Sequence, residues 1–225
     1  AIRLPPGERM EHSSFVADLK LGWHEFASRA WLWTIVVQFA LVNAIVQGSE
    51  GVLGPAIAKD HFHGALGWGF VLAAEAAGLI VGGLILLRAR PRQLLWVAEL
   101  GVLLTIPLLL GLAAPLPFVV VVGLAFVAGI GMETFGVLWD TTMQQEIPPD
   151  RLSRVYSYDA LGSWALVPLG FAIAGPVAQL AGTRATLAGA ALLSLSATVA
   201  VLFVSDVRRL QRRNEVYAVA STASS

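Results

Sequence analysis

Glu75 is the residue of greatest chemical consequence in this chain, because it sits near the middle of an apolar stretch, Trp68–Leu87. An ionisable group at membrane depth costs at least about 2.5 kcal/mol unless it is paired, protonated or wetted. Gly78 and Gly82 fall on the same helical face, which directs the carboxyl into a helix bundle and away from lipid. Two roles suit such a group. It is a proton or cation site on a transport path, or a protonated acid hydrogen-bonded to a neighbouring helix.

Other polar residues follow the same logic. Asn43, Gln47 and Glu50 share one face of the first apolar stretch at i, i+4 and i+7, the spacing of a polar wall along a substrate cavity. Gln38 lies nearly opposite them, where an amide bridges helices. Glu133 and Asp140 form an acidic stripe with Gly129 and Gly136, leading toward Arg151 and Arg154. The stripe reads as a cytoplasmic gate that forms and breaks ion pairs with those arginines, or as a cap on the helix end. Asp60, His61 and His63 stand together in a loop, but three flexible ligands with no further His or Cys nearby read as solvated surface, so no metal site is expected. An intramembrane serine protease needs a histidine at depth, and His12, His24, His61 and His63 all lie outside the apolar stretches. An aspartyl protease needs two facing aspartates, and Tyr158-Asp159 supplies one half alone. Neither enzyme constellation is complete, and no cofactor or nucleic-acid motif is present.

The elements that position these groups are six apolar stretches: 30–49, 68–87, 93–113, 117–139, 161–181 and 184–205. Each has the roughly 20 residues that a helix needs to cross a bilayer core. Hydrophobic residues make up 56% of the chain and charged residues 13%, well under the roughly 25% charged of soluble domains. Of the 15 Lys and Arg, all but Lys59 and Arg184 fall before span one, in alternate gaps, or in the tail. That asymmetry predicts both termini and the arginine-bearing gaps on the cytoplasmic side of a cell membrane. The formal net charge of zero averages over two unlike surfaces. With no cysteine there is neither a disulfide nor a thiolate metal site.

Residues 1–13 read as linker, broken by Pro5-Pro6-Gly7, and no signal peptide is recognisable. Residues 14–29 carry Phe15, Leu19, Gly22, Trp23 and Phe26 at helical spacing, an amphipathic helix expected along the inner membrane surface. Gly48, Gly51, Gly54 and Pro55 predict a break or a kink at the outer end of span one. The short Arg88–Arg92 gap predicts a tight hairpin of spans two and three. A long inner connection is expected over 140–159, and a small, polar, disordered tail after Arg213 within the cytoplasmic segment 206–225.

Three spans starting inside followed by three starting outside match the inverted layout of one half of many secondary transporters. On its residues the chain resembles the C-terminal half of a major facilitator superfamily transporter, in the bacterial drug- and siderophore-exporter branch. The likeness is carried by Trp139-Asp140-Thr141-Thr142-Met143-Gln144-Gln145-Glu146-Ile147-Pro148, then Leu152-Ser153-Arg154-Val155, Pro168-Leu169-Gly170 and Gly175-Pro176. Gly162 and Gly175-Pro176 keep the overall spacing of the antiporter-type motif, while Gly170 falls one position late. The stretch from Gly83 to Arg92 keeps the basic residues of the superfamily's loop motif without its aspartate and second glycine.

The resemblance implies an all-α integral membrane fold, six helices in a 3+3 inverted-repeat bundle spanning 30–205, half of a twelve-span transporter. It implies proton-coupled efflux of small hydrophobic or siderophore-like compounds by alternating access, with a lipid bilayer and a missing six-helix N-terminal half, or a second copy, as partners. The chain starts at Ala1 and reads as a piece of something longer or as a processed product. A non-transporting membrane scaffold or degenerate fragment is the alternative. Cysteines placed at His63 and Ala218 check the orientation: on intact cells an impermeant thiol reagent should label His63→Cys and spare Ala218→Cys. The reverse pattern would invert the topology.

Overall fold

The structure is a computed structural model that describes residues 23–114 and 116–212. Residues 14–22 of the expected surface helix and the tail from 213 onward lie outside the described residues. All described regular structure is helical apart from one isolated bridge, Gln93 to Gln211. Six segments are long and apolar enough to cross a membrane: Ala30–His61, Ala65–Arg88, Leu94–Ala113, Phe118–Glu146, Pro149–Ala181 and Thr183–Leu202. These are spans 1 to 6.

Three expectations about the ends and joints need correction. Span 1 does not break at its glycines; it runs as one helix through Pro55 to His61. The glycines serve contact instead: a Cβ at Gly48 would meet the backbone of Gly170, and one at Gly54 the Trp68 ring. The inner connection is also far shorter than 140–159. Span 4 continues to Glu146, and span 5 begins at Pro149 after Ile147 and Pro148 alone. Ile147 is extended, as a residue before proline must be, and Pro149 opens the new helix where a missing N–H does no harm. Finally, spans 2 and 3 share a short loop without packing as a hairpin. Span 2 lies chiefly on span 4, while span 3 packs on spans 4 and 6.

Two spans are interrupted where the sequence reading had them continuous. Span 3 divides into Leu94–Leu103 and Ile106–Ala113, with Pro107 in the first turn of the second piece. Span 5 divides into Pro149–Trp164 and Val167–Ala181, with Pro168 in the same place. In each case proline withholds the N–H that the preceding turn needs.

The bundle has two apolar centres. At the arginine-rich end, Phe39 stacks on Phe135 at 4.0 Å, and Trp31 meets Trp139 edge-on at 5.6 Å, joining spans 1 and 4. At the opposite end Leu53, Phe62, Val71, Leu109, Val121 and Leu187 pack together. Spans 2 and 5 are the least covered, with Phe70, Ile80, Leu161, Leu169 and Leu180 among their exposed apolar side chains.

Close approach rests on glycine. A Cβ on Gly129 would strike the carbonyl of Glu75, and a Cβ on Gly78 the carbonyl of Phe126, so spans 2 and 4 meet backbone to backbone. Neither carbonyl can swing aside as a side-chain tip could. Gly129→Ala should therefore force spans 2 and 4 apart and destabilise by about 1–3 kcal/mol. Gly123→Ala on the same span, where a Cβ meets open space, should be near neutral. Thermal unfolding of both variants in one detergent checks the contrast.

Candidate functional site

The packing of span 2 on Gly129 fixes the backbone of Glu75 and leaves its side chain part-buried in the middle of the span. Span 1, which also touches span 2, carries a second part-buried acid, Glu50. A carboxyl in an apolar setting has one ready chemistry: it takes up a proton and gives it back when water or a cation reaches it. Gln47, one turn from Glu50, is exposed and stays on the open side.

Asn43 does not line that opening. It is buried, and its Nδ2 donates to the Ser163 carbonyl at 3.0 Å, close to the interruption in span 5. The last carbonyls of a helix lack intrahelical donors, so the amide fills a need that the interruption creates. On the next turn Asp159 accepts from Ser163 Oγ at 3.1 Å and from Trp139 Nε1 at 3.0 Å, which ties span 4 to span 5. Gln38 bridges helices as its opposite placement predicts: its Nε2 donates to Glu99 Oε2 at 2.7 Å and to Thr198 Oγ1 at 3.1 Å.

At the arginine-rich end the acids and bases pair differently from the expected gate. Arg151 Nη1 donates to Glu25 Oε2 at 2.6 Å, and Arg29 closes on the other oxygen of the same carboxylate. Glu25 belongs to a helical turn over 23–27, ahead of span 1, whose Trp23 and Phe26 rings pack beside Tyr158. Asp140 accepts from the Tyr156 hydroxyl at 3.0 Å. Glu133 stands against Gly82 and Gly83 of span 2 and borders a cavity of about 600 Å³ that Arg90 and Arg212 also line. The acidic stripe is thus divided between two neighbours, span 2 for Glu133 and span 5 for Asp140. Asp60, His61 and His63 are exposed, with His63 edge-on to Phe118 at 6.4 Å.

Among known proteins the chain is similar to a multidrug efflux pump. The relative is "Multidrug efflux pump Tap" of Mycolicibacterium fortuitum, 29% identical over 191 residues, which are 80% of this chain and 45% of that protein. The chain therefore spans less than half the length of the curated relative it matches. No family model matches it, and no solved structure does. Among the described residues, six membrane-length helices mark a multi-pass membrane protein, and its likeness is to a transporter.

Three functional-looking acids escaped the sequence reading. Glu99 is a lone carboxyl inside Leu94–Leu103, the same signal that singles out Glu75. Asp159 drew notice for one half of a protease motif, and its partners come from two spans. Glu25 looks like an ordinary polar-face residue, and only the fold places Arg151 against it.

Arg29 first and Arg151 second hold the Glu25 carboxyl below the usual glutamate range. A depressed value in the folded state stabilises above the unfolded value, and that contribution disappears as pH falls through the folded one. Glu25→Gln should therefore lower the unfolding temperature at neutral pH, by less at high salt because Arg151 is half exposed. Wild type and variant should converge on the acid side of the carboxylate range. Parallel melting curves against pH check this.

Proposed function

We propose that this chain is one six-span half of a proton-coupled exporter of small hydrophobic or siderophore-like compounds, built as a major facilitator half and working by alternating access. The observation that carries the reading is the presence of two part-buried carboxyls, Glu50 and Glu75, on separate membrane-length spans of one bundle. The packing supports the inverted repeat. Exchanging spans 1, 2 and 3 for 4, 5 and 6 turns the 1-on-5 contact into 4-on-2, and the 3-on-4 contact into 6-on-1; all four are principal contacts of the bundle. Spans 2 and 5, which exchange with each other, are also the two left most uncovered. That is the surface a second six-span bundle would close against. The resemblance of the chain to an efflux pump over 45% of the pump's length fits one half of such a protein.

On this reading these carboxyls bind a proton from the outside when the outward path is open. The bound proton removes a charge and permits the bundles to rock, and it leaves to water on the cytoplasmic side. Substrate crosses between the halves in the opposite sense. At the cytoplasmic end Glu25, Arg29 and Arg151 close the joint between the segment before span 1 and the start of span 5, with Asp140 and Tyr156 beside them. Glu133 borders the neighbouring cavity with Arg90 and Arg212, and Arg154 lies on span 5 one turn beyond Arg151.

Glu75→Gln tests the coupling in the complete transporter. The amide is nearly isosteric and keeps the fold, so substrate binding and passive exchange should survive while efflux driven by an imposed pH gradient falls at least tenfold. Wild-type gradient-driven efflux in this variant would remove Glu75 from the mechanism and leave it as a packing residue.

A further inference from the structure

Away from Glu50 and Glu75, a further acid is enclosed among spans 1, 3 and 6. Glu99 is 0% exposed, Gln38 3%, and Thr198 and Ser194 0%. Gln38 Nε2 uses its two hydrogens on Glu99 Oε2 and Thr198 Oγ1. Three buried polar atoms remain without a partner among the described residues: Gln38 Oε1, Glu99 Oε1 and Ser194 Oγ. All three are oxygens, which decides what is wanting. An amide oxygen accepts only, and so does an ionised carboxylate, so the cluster has a surplus of acceptors and a shortage of donors.

We propose that Glu99 is a proton-binding site in its own right, a carboxylic acid held neutral by its enclosure and joined to Gln38 as an acid–amide pair that pins spans 1, 3 and 6 together. A proton on Glu99 Oε1 turns the surplus acceptor into a donor. Gln38 Oε1 belongs to the side chain already bonded to the other carboxyl oxygen, so it is the natural acceptor and the pair closes in both directions. Ser194 lies one turn from Thr198 on the same face of span 6 and is equally enclosed. Loss of the proton to water would leave a carboxylate facing an amide oxygen, with no cation beside it.

The side chains bonded around Glu99 are neutral: Gln38 of span 1, and through it Thr198 of span 6. Span 4 meets span 3 two residues on, at Gly101, through Thr134, whose hydroxyl is turned to the Ile130 carbonyl. Among the described residues Glu99 makes no ion pair, and its side-chain hydrogen bond is to Gln38 and not to Glu50 or Glu75. The site is therefore separate from Glu50 and Glu75, and it stands whether or not they couple transport.

Infrared spectroscopy of the full-length protein in liposomes tests this without any transport assay. At neutral pH Glu99→Gln should remove one protonated-acid carbonyl band that Glu75→Gln retains. Gln38→Leu, which keeps Glu99, should shift that same band to the frequency of an acid without its amide partner. Melting curves give the second reading: wild type should lose stability relative to Glu99→Gln as pH rises above the ordinary carboxylate range, because the unfolded chain gives up that proton first, while the amide has none to lose. These results should be the same in sodium and potassium buffers. A spectrum unchanged by both substitutions would show an ionised Glu99 and overturn the proposal. So would wild-type stability that depends on sodium, because the three oxygens would then be ligands for a metal cation.

Discussion

Close approach of helix backbones is the constraint on which the rest of this bundle depends. Lipid tails are as apolar as leucine, so no hydrophobic force draws the spans together, and association relies on contact and on polar links. Here contact is made where one partner has no side chain. Gly129 lies on the Glu75 carbonyl, Gly78 on Phe126, Gly48 on Gly170, and Gly101 would bring a Cβ within 2.6 Å of the Gly131 carbonyl. The first of these has a chemical consequence. It seats the backbone of span 2 against span 4 at the residue that carries the membrane-depth carboxyl.

Polar links add direction to contact. Span 1 carries two of them on different faces: Gln38 toward spans 3 and 6, and Asn43 toward span 5. Each such link contributes only about 0.6–2 kcal/mol in a membrane. Their value lies in fixing the rotation of span 1 about its own axis, which apolar packing alone would leave weakly determined. The interruption in span 5 takes part as well, since the carbonyl that receives Asn43 lies at the end of the helix before Pro168.

At the arginine-rich end, the choice of ion-pair partners shows what a fold adds to a charge pattern. Arg151 lies a few residues beyond Asp140 in the chain, yet it bonds to Glu25, 126 positions away. The reason is geometric. Span 4 continues as helix to Glu146 and the chain turns within two residues, so Arg151 emerges at the start of span 5 beside the turn over 23–27. Asp140 instead meets Tyr156 farther along span 5, and Glu133 looks toward span 2.

By itself the sequence determined the number of spans, their approximate bounds, the distribution of charge between the two sides, and the presence of carboxyls and amides at membrane depth. These are local properties: the length of an apolar run, the placement of arginine, and a charged residue inside a run that excludes charge. Tertiary structure decided everything that depends on which helix lies beside which. It kept span 1 continuous through Gly48, Gly54 and Pro55, because the glycines admit Gly170 and Trp68 and do not break the helix. It turned Asn43 to an interhelical bond and enclosed Glu99 with Gln38 and Thr198. A lone acid announces itself in one dimension through its energetic cost. The neighbour that offsets that cost comes from another span, and no spacing along the chain can name it.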